Sequence, residues 1–240
     1  MKLLAFDTST ETLSIAASAG AGAPVLEYTG PGGALASAAL IPGIEALLAR
    51  AGLALAQLDA IAFGRGPGSF TGLRTAAAVA QGLGFGAGVP VLAIDTLLAV
   101  AEEAHGCSGA ERIVALLDAR MDEVYFAAYE RQQGRWLTRQ APALGRPEDV
   151  AVPPGWAMAG NALDLHAARL PAGAPRIPAL PTARALLRLA PQALADGAGH
   201  DPAQALPLYI RDKVAQTTEE RAAERARKDL LRGGSAVEPR

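Results

Sequence analysis

The sequence predicts an α/β protein of two related lobes. Three observations carry that expectation: an internal repeat, a glycine-rich turn set between a short strand and a helix, and a length of 240 residues, which accommodates one large domain or two small ones. The repeat lays Ala5–Ala17 on Leu116–Ala128 without a gap, so that Asp7 meets Asp118, Glu11 meets Asp122 and Ile15 meets Phe126. Each copy reads as a strand ending in Asp, a short polar loop and an alternating strand. Two such hairpins facing one another would aim both carboxylates into one cleft. Chance similarity of two hairpins in an alanine-rich chain is the alternative.

The elements follow in order. Leu3–Phe6 is a short apolar strand, Thr12–Ala16 alternates as a second, and Pro24–Tyr28 supplies a third. From Ala36 to Ala51, residues Leu40, Ile41, Ile44, Leu47 and Leu48 recur at helical spacing. Asp59–Gly64 is a strand, Phe70–Gly84 a helix, Val89–Ile94 a strand, and Asp95 or Thr96 caps a helix to about Ala104. The polar, glycine-containing stretch His105–Glu111 marks a boundary between a first lobe (1–104) and a second (105–205). Strands are expected at 112–118, 124–129 and 156–159, and helices at 162–170 and 183–195, with 141–181 otherwise irregular. Segment 206–232 is expected to pack back on the first lobe, and 233–240 to be disordered.

Composition excludes several classes of function. A formal charge of −2 is not that of a strong polyanion binder. A single cysteine, Cys107, rules out an intramolecular disulfide framework and fits a reducing cytoplasm. The three histidines, at 105, 166 and 200, form no paired metal-ligand motif, and no metal or cofactor is expected. No signal peptide is visible. Charged residues make up only 19% of the chain, against a usual share of about 25%, which points to a protein–protein interface.

Three strings bear on chemistry. Asp7-Thr8-Ser9-Thr10 could cradle a phosphate or hold Mg²⁺ through water; equally, its hydroxyls could satisfy their own backbone in a tight turn. Gly66-Pro67-Gly68-Ser69-Phe70-Thr71-Gly72-Leu73-Arg74 lacks the lysine of a Walker loop. Its glycines read first as close packing and second as an anion site at a helix start. Asp118-Ala119-Arg120 clusters charge after a buried strand, where Arg120 could pair with an acid or a phosphate. The helix after the glycine-rich turn is smooth (Ala76, Ala77, Ala78, Ala80, Gly82, Gly84), as a helix that docks closely on another would be.

Leu4–Thr10, Gly64–Arg74, Ala80-Gln81-Gly82-Leu83, Asp118–Tyr125 and Pro207–Arg211, in that order, resemble the TsaB family of the bacterial tRNA threonylcarbamoyladenosine synthase. The resemblance implies an actin-like (sugar kinase/Hsp70) two-lobed α/β fold with duplicated mixed-sheet lobes. It implies a noncatalytic, dimerising subunit that binds the catalytic subunit TsaD and, with it, the ATPase TsaE, forms a homodimer when alone, and meets tRNA through the complex. The reaction implied is transfer of a threonylcarbamoyl group from its adenylate to N6 of adenosine 37 in tRNAs reading codons that begin with A. The partner interface is expected at Leu40, Ile44, Leu47, Ser69, Phe70, Leu73, Arg74, Ala77, Ala80 and Gln81, with a glutamate at Ala77 or Ala80 as its probe. Asp7, Thr8, Ser9, Thr10, Asp118 and Arg120 are the candidate nucleotide or anion loops. Catalytic relatives carry paired histidines on the first long helix; here that helix offers Ala36, Ser37 and Leu40. A small-molecule kinase with Asp7 as metal-linked base is the alternative, and a metallopeptidase a third reading. Seven basic and five acidic residues in Arg211–Arg232 suit a solvated, salt-bridged helix better than a polyphosphate grip.

Overall fold

The first sheet is assembled around the N-terminal strand. In the computed structural model, which describes residues 1–211, β1 (Lys2–Asp7) pairs antiparallel with β2 (Thr12–Ala19), and β2 with β3 (Leu26–Pro31). On its other side β1 pairs in parallel with β4 (Ala60–Gly66), followed by β5 (Val91–Asp95), giving the order β3-β2-β1-β4-β5. The second sheet repeats this plan. An antiparallel meander of β6 (Arg112–Asp118), β7 (Val124–Gln132) and β8 (Arg135–Gly145) is extended in parallel by β9 (Ala157–Gly160) and β10 (Arg176–Ile177), in the order β8-β7-β6-β9-β10. The duplicated, mixed-sheet α/β plan expected from the sequence is what the chain adopts.

The repeat is real, but its gapless alignment slips by one residue on the first strand. Phe6 lies opposite Ile15 in the first hairpin, and Leu116, not Leu117, lies opposite Phe126 in the second. Leu117 therefore holds the place of Asp7, and Asp118 sits one position farther along. The extra residue is taken up in the loop, where Arg120, Met121 and Asp122 have φ of +61°, +55° and +61°.

Helices cover both faces of each sheet. α1 (Ala36–Ala51) and α2 (Phe70–Ala87) pack on the outer face of the first sheet, where Leu40, Ile44 and Leu47 join Leu4, Phe6 and Phe63. The four-residue α4 (Ala162–Leu165) covers part of the outer face of the second. Between the sheets lie α3 (Thr96–Ser108), whose Leu97, Val100 and Ala101 face the second sheet, and α5 (Ala183–Ala195), whose Leu186 and Ala190 face the first. The chain thus crosses to the second sheet on α3 and returns to the first on α5. Residues Met1–Ile210 form one compact unit.

Several expectations are revised. The helix from Thr96 does not stop at Ala104 but runs through the expected break to Ser108, where Gly109 closes it in the left-handed conformation. β8 was not anticipated, because Arg135–Gly145 alternates poorly and contains Pro142; its long, exposed course as an edge strand tolerates both. The helix expected over 162–170 lasts a single turn. The edge of β5 is covered by His200, which exchanges backbone hydrogen bonds with Val91. The helix expected within 211–232 and the tail 233–240 lie outside the described residues.

A buried ionic group ties the middle layer together. Glu102 of α3 is 6% exposed, and it accepts hydrogen bonds from Arg188 Nε of α5 (2.7 Å) and Trp136 Nε1 of β8 (2.7 Å). Arg188 also donates to Glu103 (2.9 Å). Removing Arg188 strands the Glu102 carboxylate. Arg188→Ala is expected to lower stability by about 2–3 kcal/mol, short of the roughly 3–5 of a fully buried pair because Arg188 is itself a third exposed. Urea unfolding measures this; a loss below about 0.5 kcal/mol would show the group to be worth no more than a surface pair.

Candidate functional site

The loop after β1 is closed by the glycine-rich turn. Asp7, Thr8 and Ser9 are 0, 0 and 3% exposed. Ser9 donates to Asp7 Oδ1 from both its backbone N–H (2.8 Å) and its hydroxyl (2.6 Å), and Thr8 Oγ1 donates to the carbonyl of Gly72 (2.7 Å). The backbone N–H of Ser69 donates to the Ser9 carbonyl (2.7 Å). A Cβ on Gly64 would overlap Asp7 Oδ2, one on Gly68 would press on Ser9, and one on Gly72 would overlap the Thr8 carbonyl. Close packing, rather than a phosphate cradle, is what these glycines do. The hydroxyls of Thr8 and Ser9 are spent internally, and neither Asp7 oxygen is open to a ligand, so Asp7 as base of a kinase does not fit this geometry.

Asp7 also carries an energetic signature. Burial raises its pKa from 3.8 to about 6, against the lowering effect of the Ser9 hydrogen bonds, and Oδ2 has no partner. A carboxyl that binds its proton more tightly when folded stabilises the fold fully below its unfolded pKa. That contribution is lost as pH rises through the folded pKa. Between pH 4 and pH 7.5 it diminishes by about 2.4 kcal/mol, from a shift of about two units.

The second loop is built differently. Asp118 accepts from the backbone N–H of Arg120 (3.2 Å) and lies 3.2 Å from Nε2 of the buried His166, while its own N–H donates to Asn161 Oδ1 (2.9 Å). Arg120, 70% exposed, reaches across to Glu11 (2.6 Å) of the first loop and approaches Asp118 Oδ2 (3.6 Å). Glu11, His166 and Asn161 join this cluster without having been singled out from the sequence. Only the fold brings them within reach.

The two outer helices divide differently from expectation. Leu40, Ile44, Leu47, Leu73, Ala77 and Ala80 are at most 5% exposed and belong to the chain's own interior. They cannot also meet a partner, and neither Ala77 nor Ala80 can carry an outward glutamate. The physical reason is that helical spacing finds the most apolar face, and a sheet claims that face first. Of the expected interface, Ser69, Phe70, Arg74 and Gln81 keep exposure. Arg74 stacks on the Phe70 ring (3.7 Å to its centroid) and donates to Tyr209 Oη (3.0 Å), and the two rings lie 5.1 Å apart. Leu208 N–H donates to the Arg65 carbonyl (2.7 Å), fixing this strap across the start of α2.

The outward face is nonetheless apolar. Leu35, Ile41 and Phe85 are 60, 45 and 61% exposed, and the small residues Ala38, Ala46 and Ala78 face outward with them. Gly33–Ala51 is long and apolar enough, by length and composition, to cross a membrane, yet only 28% of that window is buried. Its Leu40, Ile44, Leu47 and Leu48 hold it on the sheet as a surface helix.

Comparison with known proteins agrees with this architecture. Residues 35–234 match the family model described as TsaD: tRNA N6-adenosine threonylcarbamoyltransferase. The Escherichia coli tRNA threonylcarbamoyladenosine biosynthesis protein TsaB is 33% identical over 90% of this chain and 96% of its own length. The chain belongs to the TsaB family. The Haemophilus influenzae TsaB is 46% identical, over 56% of each chain. The solved structure of YeaZ from Pseudomonas aeruginosa superimposes with a TM-score of 0.81 at 44% identity, covering 87% of this chain and 99% of that one. Family membership accounts for the duplicated, mixed-sheet α/β plan.

Asp7→Asn is expected to remove the pH-linked loss. Thermal unfolding of the natural chain should fall in midpoint between pH 4 and 7.5 more steeply than that of the variant; parallel profiles would show that Asp7 does not titrate with folding.

Proposed function

We propose that this chain is a noncatalytic subunit of the machinery that makes threonylcarbamoyladenosine in tRNA, and that it acts by docking the outward face of α1 and α2 on a TsaD-type threonylcarbamoyltransferase. The observation that carries the reading is that face: an apolar, small-residue surface on two adjacent helices, left uncovered by the chain's own sheets. The relatives bearing the name TsaB support the pathway, and the match to the TsaD model supports a related partner of the same fold. The closed first loop supports a noncatalytic role, since its carboxylate and hydroxyls serve packing.

In this reading the chain forms a scaffold in the cytoplasm. Docking favours the competent state of the partner by mass action, as any ligand selective for one state does. The partner transfers the threonylcarbamoyl group from threonylcarbamoyl-AMP to N6 of adenosine 37; the ATPase TsaE joins the pair, and tRNA is met through the assembly. When the partner is absent, the same face pairs two copies of this chain. Ser69, Phe70, Arg74 and Gln81 border the face and form its polar and aromatic margin.

The test is co-purification with the TsaD-type subunit. Ala38→Glu and Ala78→Glu place a carboxylate at the centre of the contact, and each is expected to weaken association by at least about 100-fold. Their melting temperatures should stay near that of the natural chain, since both positions are exposed. Threonylcarbamoyl transfer to tRNA by the partner should fall in parallel. Undiminished association of both variants would overturn the docking face. A transfer rate indifferent to this chain would overturn the subunit role.

A further inference from the structure

The outward side of α2 carries a self-complementary pattern. Thr71, Arg74, Ala78, Gly82 and Phe85 are exposed and recur at three- and four-residue spacing, so they form one stripe along the helix. The stripe is symmetric about Ala78: Arg74 and Gly82 stand four residues to either side of it, and Thr71 and Phe85 seven. Sizes are matched across that centre. The long Arg74 is balanced by a residue with no side chain, and the bulky Phe85 by the small Thr71.

Two details point to a second chain against this stripe. A Cβ on Gly82 would meet nothing, so packing within the chain does not call for glycine there, and glycine weakens a helix interior. Close approach of another molecule does call for it. Phe85, 61% exposed, has no cover of its own, while the other end of the stripe offers a seat for a ring. There Arg74 is held over Phe70 (3.7 Å to the centroid) and on Tyr209 Oη (3.0 Å).

Charge selects the occupant. Arg74 is the one charged residue of α2, Glu45 the one acid of α1; both are exposed, and neither enters an ion pair among the described residues. A face that meets its own copy must carry both signs. Both helices start beside the β1–β2 loop, where the Gly32 N–H donates to the Glu11 carbonyl and the Ser69 N–H to the Ser9 carbonyl. Counted from those starts, inversion about Ala78 brings Arg74 of the copy within one helical turn of the level of Glu45.

We propose that α2 pairs antiparallel with α2 of a second copy of this chain, about a two-fold axis at Ala78. Phe85 of each copy seats beside Thr71 on the Phe70–Arg74–Tyr209 cluster of the other, and each Arg74 crosses the bare backbone at Gly82 of the other. The inference rests on the reading of this face as a docking surface and adds the register and the anchor of self-pairing.

Cysteine cross-linking of the full chain in a Cys107→Ser background tests the register. Ala78→Cys is expected to form a disulfide-linked dimer on mild oxidation, because the axis brings its two copies together. Phe85→Cys alone is expected not to cross-link, its two copies lying roughly 20 Å apart along the pair, but to do so when mixed with a Thr71→Cys chain. Gly82→Leu fills the place of Arg74, and it is expected to weaken self-association at least about tenfold in sedimentation equilibrium with no fall in melting temperature. Phe85→Ala is expected to weaken it by a similar factor. A natural chain that stays monomeric at about 100 μM, an Ala78→Cys chain that does not cross-link, a Phe85→Cys chain that links to itself, or undiminished self-association of Gly82→Leu would each overturn the pairing. The cross-links need no TsaD-type subunit, and co-purification with that subunit needs no second copy, so the two readings fail separately.

Discussion

The contact on which the rest of the molecule depends is the pressing of a glycine-rich turn against the loop that follows β1. Three glycines, at 64, 68 and 72, approach the backbone or carboxylate of Asp7, Thr8 and Ser9 more closely than any side chain would permit. That approach fixes the start of α2, because the Ser69 N–H is bound to the Ser9 carbonyl and the Gly72 carbonyl to the Thr8 hydroxyl. Once the start of α2 is fixed, its register on the sheet follows, and with it which residues face outward. The unmatched, proton-retaining carboxyl of Asp7 is the cost of so tight a closure.

Much of this was legible in the residues. The 240-residue chain announces its two hairpins by a shared pattern of strand, Asp, polar loop and strand, and Ala36–Ala51 and Ala183–Ala195 match helices residue for residue. The close packing expected of the glycines in the Gly66–Arg74 turn is present. The outward face was not legible. Periodicity marks where Leu40, Ile44 and Leu47 repeat, and the sheet beneath takes precisely those residues; the side left for a partner is defined by what is small, and smallness has no strong period. Likewise, the slip of one residue between the hairpins is invisible without partners across the strands. A gapless alignment that joins Asp7 to Asp118 looks better than the true one, which joins Asp7 to Leu117.

That slip separates the fates of the two copies. In the first, the carboxylate closes a strand of six residues and is walled in. In the second, it lies at the strand's end, within reach of His166 and Asn161, and its loop takes up the added residue through three successive left-handed residues. Each such residue costs on the order of 1 kcal/mol for a side chain with a Cβ. Arg120, carried on this loop, spans to Glu11, so the two related turns are joined by an exposed ion pair of modest strength.

The return of α5 to the first sheet has a consequence for how the molecule can come into being. The inner face of that sheet, with Leu3, Ala5, Ala62 and Leu92, is covered by Leu186 and Ala190, which emerge from synthesis some hundred residues after β5. Until then the nascent N-terminal half exposes much of an apolar wall, shielded locally only by Leu98 and Ala99 of α3, a state prone to chaperone capture or aggregation. A chain built this way resists division into autonomously folding halves, and its folding is governed by contacts of long sequence separation, which are slow to close.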